Sequence, residues 1–582
     1  MDNIINSFAA VDWVIILSYL VVTIGIGLYF TKRASSNITD YFVSGRNLPW
    51  WLLGTSMVAT TFAADTPLVI TGWVRTEGIW KNWFWWNYIF GHVLAVFLFS
   101  RLWRRAEVLT DNEFIELRYS GKPAAFLRGF KALYFSTLFN FIVMGWVISA
   151  MAKVFSVFFG VDTYAAVVVC LVIAVTYTAL SGIWGVAITD FLQYIIAIIG
   201  SVILVHFVIS SPDIGGYSGF LSRLGEVEGN LKFFMTPETG TPVSDGFLSS
   251  SFFSFLVFIS VIWWSSHNAD GGGYIIQRMS SAKNENHAVA GTAWFVINHY
   301  IIRLWPWVLV AVASLLVFPY AEHKDADQEI YYLLMIKKFL GPGLQGLLFV
   351  TFLAAFMSTI TTHLNWGSSY LVNDIYKRFI DKNGSDRRYV LVSRIFTIVI
   401  TILAGIFALY IKNIGKAWIF LWAMSAGIGL VLILRWFWWR INAWSEISAL
   451  ASSIITIIAM ILYTNLKGIS LELKHQVIVI PISITTWVIT TYLTAPEPTQ
   501  RLQSFYNKIR PWGFWGPVST NNENKEPLTD LLLNWVLGIC VVISGMLGVG
   551  KLLLGQFGLG FILFIISVFC SFILYYRIFK IK

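Results

Sequence analysis

The feature that most constrains this chain is a succession of apolar runs, each about as long as a lipid bilayer is thick. Crossing a hydrocarbon core takes about 20 apolar residues in a helix. Fifteen segments meet that need: 11–31, 50–72, 82–104, 129–158, 162–181, 184–210, 248–268, 286–318, 344–372, 388–412, 417–436, 443–465, 476–496, 529–550 and 556–577. In lipid every backbone N–H and C=O must be satisfied internally, which restricts such runs to helices. Composition agrees, because 57% of the 582 residues are hydrophobic and only 12% are charged, against roughly 25% charged in soluble domains. The expected fold class is an all-α integral membrane protein of about 15 transmembrane helices.

A formal net charge of +10 invites a nucleic-acid reading, and the placement of the charges removes it. The basic residues sit in short loops between apolar runs, and alternate loops, beginning after the first span, hold more than twice as many as the others. By the positive-inside rule the N-terminus lies outside and the C-terminus in the cytoplasm of a plasma membrane, most simply a bacterial inner membrane. Residues 1–10 lack the basic n-region of a cleavable signal. Cys170, Cys540 and Cys570 lie in apolar stretches, which suggests neither a disulfide framework nor a metal site. Gly215, Gly216, Gly229 and Pro237 mark irregular structure in an outer loop, 211–247. Pro496, Pro498, Pro511 and Pro517 mark 497–528 as an inner linker. Thr110-Asp-Asn-Glu113 has capping-box spacing and opens a short helix reading EFIELRY.

Polar residues at membrane depth are costly and therefore informative. Span 50–72 carries Thr60, Thr61, Asp65, Thr66 and Pro67. Pro67 removes a donor and disfavours helix at Thr66, so a break is expected there, unless hydroxyls re-satisfy a simple kink. Span 248–268 runs into WWSSHNADGGGYIIQR, where three glycines predict a second interruption, or else mark the start of a cytoplasmic loop. The two breaks are about 200 residues apart and each opens five spans, the pattern of an inverted-repeat transporter. Span 344–372 carries Ser358, Thr359, Thr361 and Thr362, oxygens suited to a small hard cation or to gluing helices together. Asp190 begins a long apolar helix, as a dipole-favoured acid or as a charge that draws a cation inward.

The chain resembles the sodium:solute symporters, the family of sodium/glucose, sodium/proline and sialic acid transporters. The resemblance rests on TDYFVSGRNLPWWLLGTSMVATT (39–61), LTDNEFIELRY (109–119), SGIWGVAITDFLQ (181–193), GGGYIIQRMSSAK (271–283) and LAAFMSTITTHLN with SSYLVNDIYKRF (353–379). It implies a LeuT-type core of two inverted five-helix repeats, 50–210 and 248–436, joined by the outer loop 211–247. Residues 1–49 would add a peripheral helix, 437–496 two more, and 529–582 the last two after the linker 497–528. It also implies a first sodium site from the carbonyls of Ala59, Phe62 and Ala355 with the hydroxyls of Ser358 and Thr359. A second site, present in some members, would use Asp190, Ser358, Thr361 and Thr362. Sugar-binding members carry a glutamine-type donor where this chain has Thr66, and a tyrosine gate near WWSSHNADGGG, so neither feature is carried over.

Residues expected to face the solute are Asp65, Thr66, Trp83, Trp86, Asn87, Trp264, His267, Asn268, Asp270, His299 and Arg303. Indole faces with amides and a carboxylate suit a polyhydroxy ring; Arg or His suits an organic acid. The expected function is sodium-coupled import of a small polar solute, a sugar or sugar derivative first, by alternating access. The alternatives are an amino acid or organic acid symporter, or a transporter-like sensor. Sodium is the only metal expected, with no organic cofactor, no nucleic acid and no obligatory protein partner. The chain has no HExxH, no Cys/His nucleophile arrangement and no phosphate-binding glycine loop, so an enzyme is not expected.

Overall fold

The structure, a computed structural model, describes residues 8–34, 38–178, 183–226, 250–469, 471–519 and 527–579. Among these, eleven helices are long and apolar enough to cross a membrane, and thirteen if each of two bent pairs counts as one span. The two remaining expected spans, 162–181 and 248–268, are represented by shorter apolar helices, Thr163–Thr178 and Ser251–Ser265. The expected hairpin at 181–184 lies partly outside the described residues, as does loop 211–247 from 227 onward.

Leu344–Ser369 is the central helix, with almost every residue buried, and it packs against Ile183–Ile209, Trp50–Thr60 and Ala10–Ala34. The last helix, Phe557–Phe579, is the opposite extreme, exposing Phe561, Ile565, Phe569 and Phe572 on the side left to lipid. Close helix contact is made by small residues. A Cβ on Gly54 would stand 2.3 Å from the Gly291 carbonyl, the packing that membranes favour because apolar side chains gain little by avoiding lipid. Helix starts are capped by Asn284, Ser385, Asn413 and Asn442, each accepting from a backbone N–H three residues on.

Three interruptions shape the core. The first separates Trp50–Thr60 from Asp65–Thr76 by a 55° bend. It lies a few residues ahead of the break expected at Thr66, because Pro67 sits in the first turn of the second half-helix, where a missing N–H costs nothing. The second lies between Trp263–Ser265 and Gly273–Ser281. Gly271–Gly273 are buried there, with φ of +126° at Gly271 and +73° at Gly272, so they form the break itself rather than a surface loop. The third, between Ile414–Ser425 and Gly429–Phe437, bends by 47° inside a span expected to be continuous. The second and third breaks touch through backbone. The Gly427 N–H donates to the Ser265 carbonyl at 2.7 Å, and a Cβ on Gly429 would stand 2.1 Å from the Trp264 carbonyl.

Two loops are more ordered than their sequence suggests. Gly216–Arg223 is a helix, not irregular chain, because Phe220 buries completely and anchors its turns. The expected linker contains the helix Thr499–Ile509, whose Leu502, Phe505, Tyr506 and Ile509 are buried. The short helix Glu113–Arg118 forms at the expected capping signal. Thr110 Oγ1 accepts from the Glu113 N–H at 3.2 Å, and the Glu113 carboxylate accepts from the Leu109 N–H at 2.8 Å.

Candidate ion and solute site

The first break faces the central helix. Thr359 Oγ1 lies 3.2 Å from the Thr60 carbonyl and 3.4 Å from the Phe62 carbonyl. Thus a hydroxyl from one element and carbonyls from another already converge, a donor set of neutral hard oxygens that fits a sodium ion. Ala59 lies in the same turn, its carbonyl accepting from the Phe62 N–H at 3.2 Å, and Ala355 lies one turn before Thr359 on the central helix. Ser358 turns toward Asp190, donating to Oδ1 at 2.5 Å.

Asp190 is fully buried and accepts from Ser56 Oγ at 2.5 Å. Arg278, from the half-helix after the second break, approaches Asp190 Oδ2 at 3.7 Å. It donates to Thr362 Oγ1 at 2.7 Å and to Thr60 Oγ1 at 3.3 Å. Thr361 hydrogen-bonds back to the Met357 carbonyl of its own helix at 2.6 Å. Of the four second-site residues, Asp190 and Ser358 therefore meet, Thr362 is engaged by the guanidinium of Arg278, and Thr361 stands apart.

Beside the first break lies a cavity of about 220 Å³. Among the expected solute-facing residues, Asp65, Thr66, His267, Asn268, His299 and Arg303 line it. The others do not, and each has a physical reason. Trp83 and Trp86 pack edge to face against each other at 5.6 Å, and Asn87 donates back to the carbonyls of Trp83 and Phe84. Trp264 is held by the Ser260 carbonyl at 2.7 Å. Asp270 is claimed by Arg435 at 2.6 Å and by the Trp436 indole at 3.0 Å.

Sequence reasoning missed much of the aromatic wall: Trp85, Tyr88, His92, Trp146, Tyr274, Tyr300, His363, Trp418 and Trp422. Trp418 and Trp422 stand one turn apart on Ile414–Ser425. The Trp418 indole donates to Asp65 Oδ2 at 2.9 Å, while Asp65 Oδ1 and the Trp422 indole N–H are buried without a partner. Asp65, Trp418 and Trp422 together line the cavity.

On one side of the cavity, a smaller pocket that shares His267 is closed by a buried charge cluster. Asp270 pairs with Arg435, which also reaches Glu446 at 3.3 Å; Glu446 in turn accepts from Lys131 and from Tyr119. The cluster joins the second break to Gly429–Phe437 and Ala443–Lys467.

Residues 41–489 match the Sodium:solute symporter family. A sodium/glucose cotransporter 4 of Danio rerio is 24% identical over 546 residues, covering 85% of this chain and 80% of that protein. A sodium/glucose cotransporter of Vibrio parahaemolyticus is 22% identical, covering 78% of this chain and 86% of its own length. Among solved structures, a Na+-coupled sialic acid symporter in a substrate-bound outward-open state matches with a TM-score of 0.67 at 22% identity. That alignment covers 84% of this chain and all of the symporter, and it shows the fold. With the broken helices, the hydroxyl-bearing central helix and the cavity beside the first break, these matches give one conclusion: the chain belongs to the sodium:solute symporter family, and is a multi-pass, sodium-coupled membrane transporter of LeuT-type fold rather than an enzyme.

Proposed function

We propose that the chain imports a sugar or sugar derivative together with sodium by alternating access, across a plasma membrane, with its N-terminus outside and its C-terminus in the cytoplasm. It works without an obligatory protein partner. Sodium, bound by Ala59, Phe62, Ala355, Ser358 and Thr359, ties the first break to the central helix and sets the wall of the solute cavity. The solute then binds, and the two repeats, 50–210 and 248–436, rock to expose the site on the other side. Coupling follows because both ligands favour the same arrangement, and it is reciprocal. The membrane potential adds about 2.3 kcal/mol per charge per 100 mV.

The observation that carries the solute reading is the Asp65 carboxylate, held by the Trp418 indole at 2.9 Å, on the wall of a cavity lined by further aromatic rings. A polyol can donate a hydroxyl to such a carboxylate while its apolar face lies on tryptophan. An organic acid is the second reading, since Arg303 lines the cavity. It is disfavoured because both terminal nitrogens of Arg303 are already bonded to backbone carbonyls.

The test is uptake into proteoliposomes of glucose, galactose, N-acetylneuraminic acid, proline and lactate under an inward sodium gradient, with potassium as control. Sodium-dependent accumulation of a sugar that is lost in a Ser358→Ala/Thr359→Ala variant supports the proposal. Uptake confined to lactate or proline refutes the solute reading, and sodium-dependent binding without any flux favours a sensor.

A further inference from the structure

We propose that Arg303 is a positioning residue for sodium, a tethered cation that holds the turn from which the sodium carbonyls project. The proposal rests on the first sodium site described above. The C-terminal end of a helix leaves carbonyls without intrahelical donors and carries partial negative charge. At the end of Trp50–Thr60, Arg303 Nη1 donates to the Val58 carbonyl at 2.7 Å and Nη2 to the Thr61 carbonyl at 2.9 Å. Val58 and Thr61 are three residues apart and share one face of the turn, while Ala59 and Phe62 share the next. The guanidinium therefore takes one face and leaves the neighbouring pair of carbonyls for a mobile cation.

Arg303 is itself fixed from several sides. It is 1% exposed. Its Nη2 contacts the His299 ring, and His299 Nδ1 also lies 3.0 Å from Thr61 Oγ1. Trp307 lies 5.6 Å from the guanidinium and stacks on Phe62 at 4.9 Å, so the aromatic ring of the sodium turn and the arginine grip the same indole. Arg303 follows a widened π-helical turn, Asn298–Ile302, its N–H reaching the Asn298 carbonyl five residues back. Its Nε is buried without a partner, and the side chain lines the solute cavity. One guanidinium is thus the partition between the ion-facing turn and the solute.

The sign of the effect separates this role from simple electrostatics. Deleting a nearby positive charge would by itself tighten sodium binding, whereas losing the forked clamp on the turn would weaken it. The experiment titrates sodium, with potassium keeping ionic strength constant, into the purified full-length chain in detergent. It reads thermal stabilisation together with hydrogen exchange at 58–66, for wild type, Arg303→Met and Arg303→Lys. The expected result is a sodium half-saturation raised about tenfold in Arg303→Met, as loss of a charged hydrogen bond implies, with sodium-dependent protection of 58–66 lost. Arg303→Lys, which keeps the charge but cannot fork, falls between. An unchanged or lower half-saturation in folded Arg303→Met overturns the proposal, and if that variant does not fold, an unchanged half-saturation in Arg303→Lys does so. Absence of any sodium-specific response in wild type instead refutes the sodium site itself, before the variants are compared.

Discussion

Asp270→Asn tests whether the charge cluster beneath the cavity is a latch or only a scaffold. Asp270 and Arg435 meet at 2.6 Å with side chains that are each 2% exposed. Removing one partner of such a buried pair costs about 3–5 kcal/mol, because the other charge is left uncompensated. Arg435 keeps Glu446 at 3.3 Å, so the lower end, about 3 kcal/mol, is the better expectation. If the cluster exists only while this face of the transporter is closed, the whole cost falls on that state. The closed-to-open ratio then drops by about a hundredfold, at 1.4 kcal/mol per factor of ten. Hydrogen exchange at 266–273 in detergent is the assay: the variant should lose protection across the second break while distant helices keep theirs. A variant that melts earlier but leaves exchange at 266–273 as in wild type would refute the reasoning, since the cluster would then persist in both states.

Other outcomes follow from the same geometry. Thr359→Ala removes the hydroxyl that faces the Phe62 and Thr60 carbonyls, and should raise the sodium half-saturation about tenfold; Thr359→Ser should restore it, as measured by sodium-dependent uptake. Gly429→Ala places a methyl 2.1 Å from the Trp264 carbonyl; with backbone on both sides it should cost more than about 3 kcal/mol, read as loss of folded protein on size exclusion. Burial raises the Glu116 carboxyl, but hydrogen bonds and charge from Arg378 and Arg128 outweigh it and hold the group below its ordinary range. Its stabilising contribution is therefore present above about pH 4.3 and is lost as pH falls through the lower folded value. Thermal melts between pH 3 and 6 should show an acid-sensitive step that Glu116→Gln lacks.

What could be read from the sequence was whatever local chemistry announces. Proline and glycine runs inside apolar stretches marked the first two breaks, and clustered hydroxyls marked the central helix, because such residues are expensive at membrane depth. The third break was missed because Ala426-Gly427-Ile428-Gly429 looks like ordinary small-residue packing; only the approach of Ser265 and Trp264, more than 160 residues away, makes the glycines necessary. Asp270 was misplaced for the same reason, its neighbouring glycines suggesting a cavity while its partner Arg435 lies 165 residues on. The aromatic wall gave no local signal, since 27 tryptophans are spread throughout the chain. The one usable hint was the i, i+4 spacing of Trp418 and Trp422 just before a glycine pair.

The placement of those two indoles has an evolutionary consequence. The proposed sodium ligands belong to Trp50–Thr60, the turn after it and Leu344–Ser369, whereas Trp418 and Trp422 belong to Ile414–Ser425. On the proposed function, a lineage could exchange the two indoles, and with them the cargo, without altering the proposed sodium ligands. On that function, a change of cargo with the driving ion kept is open to the division of labour among helices, and Asp65, bonded to Trp418 beside the first break, is the residue such a change would have to respect.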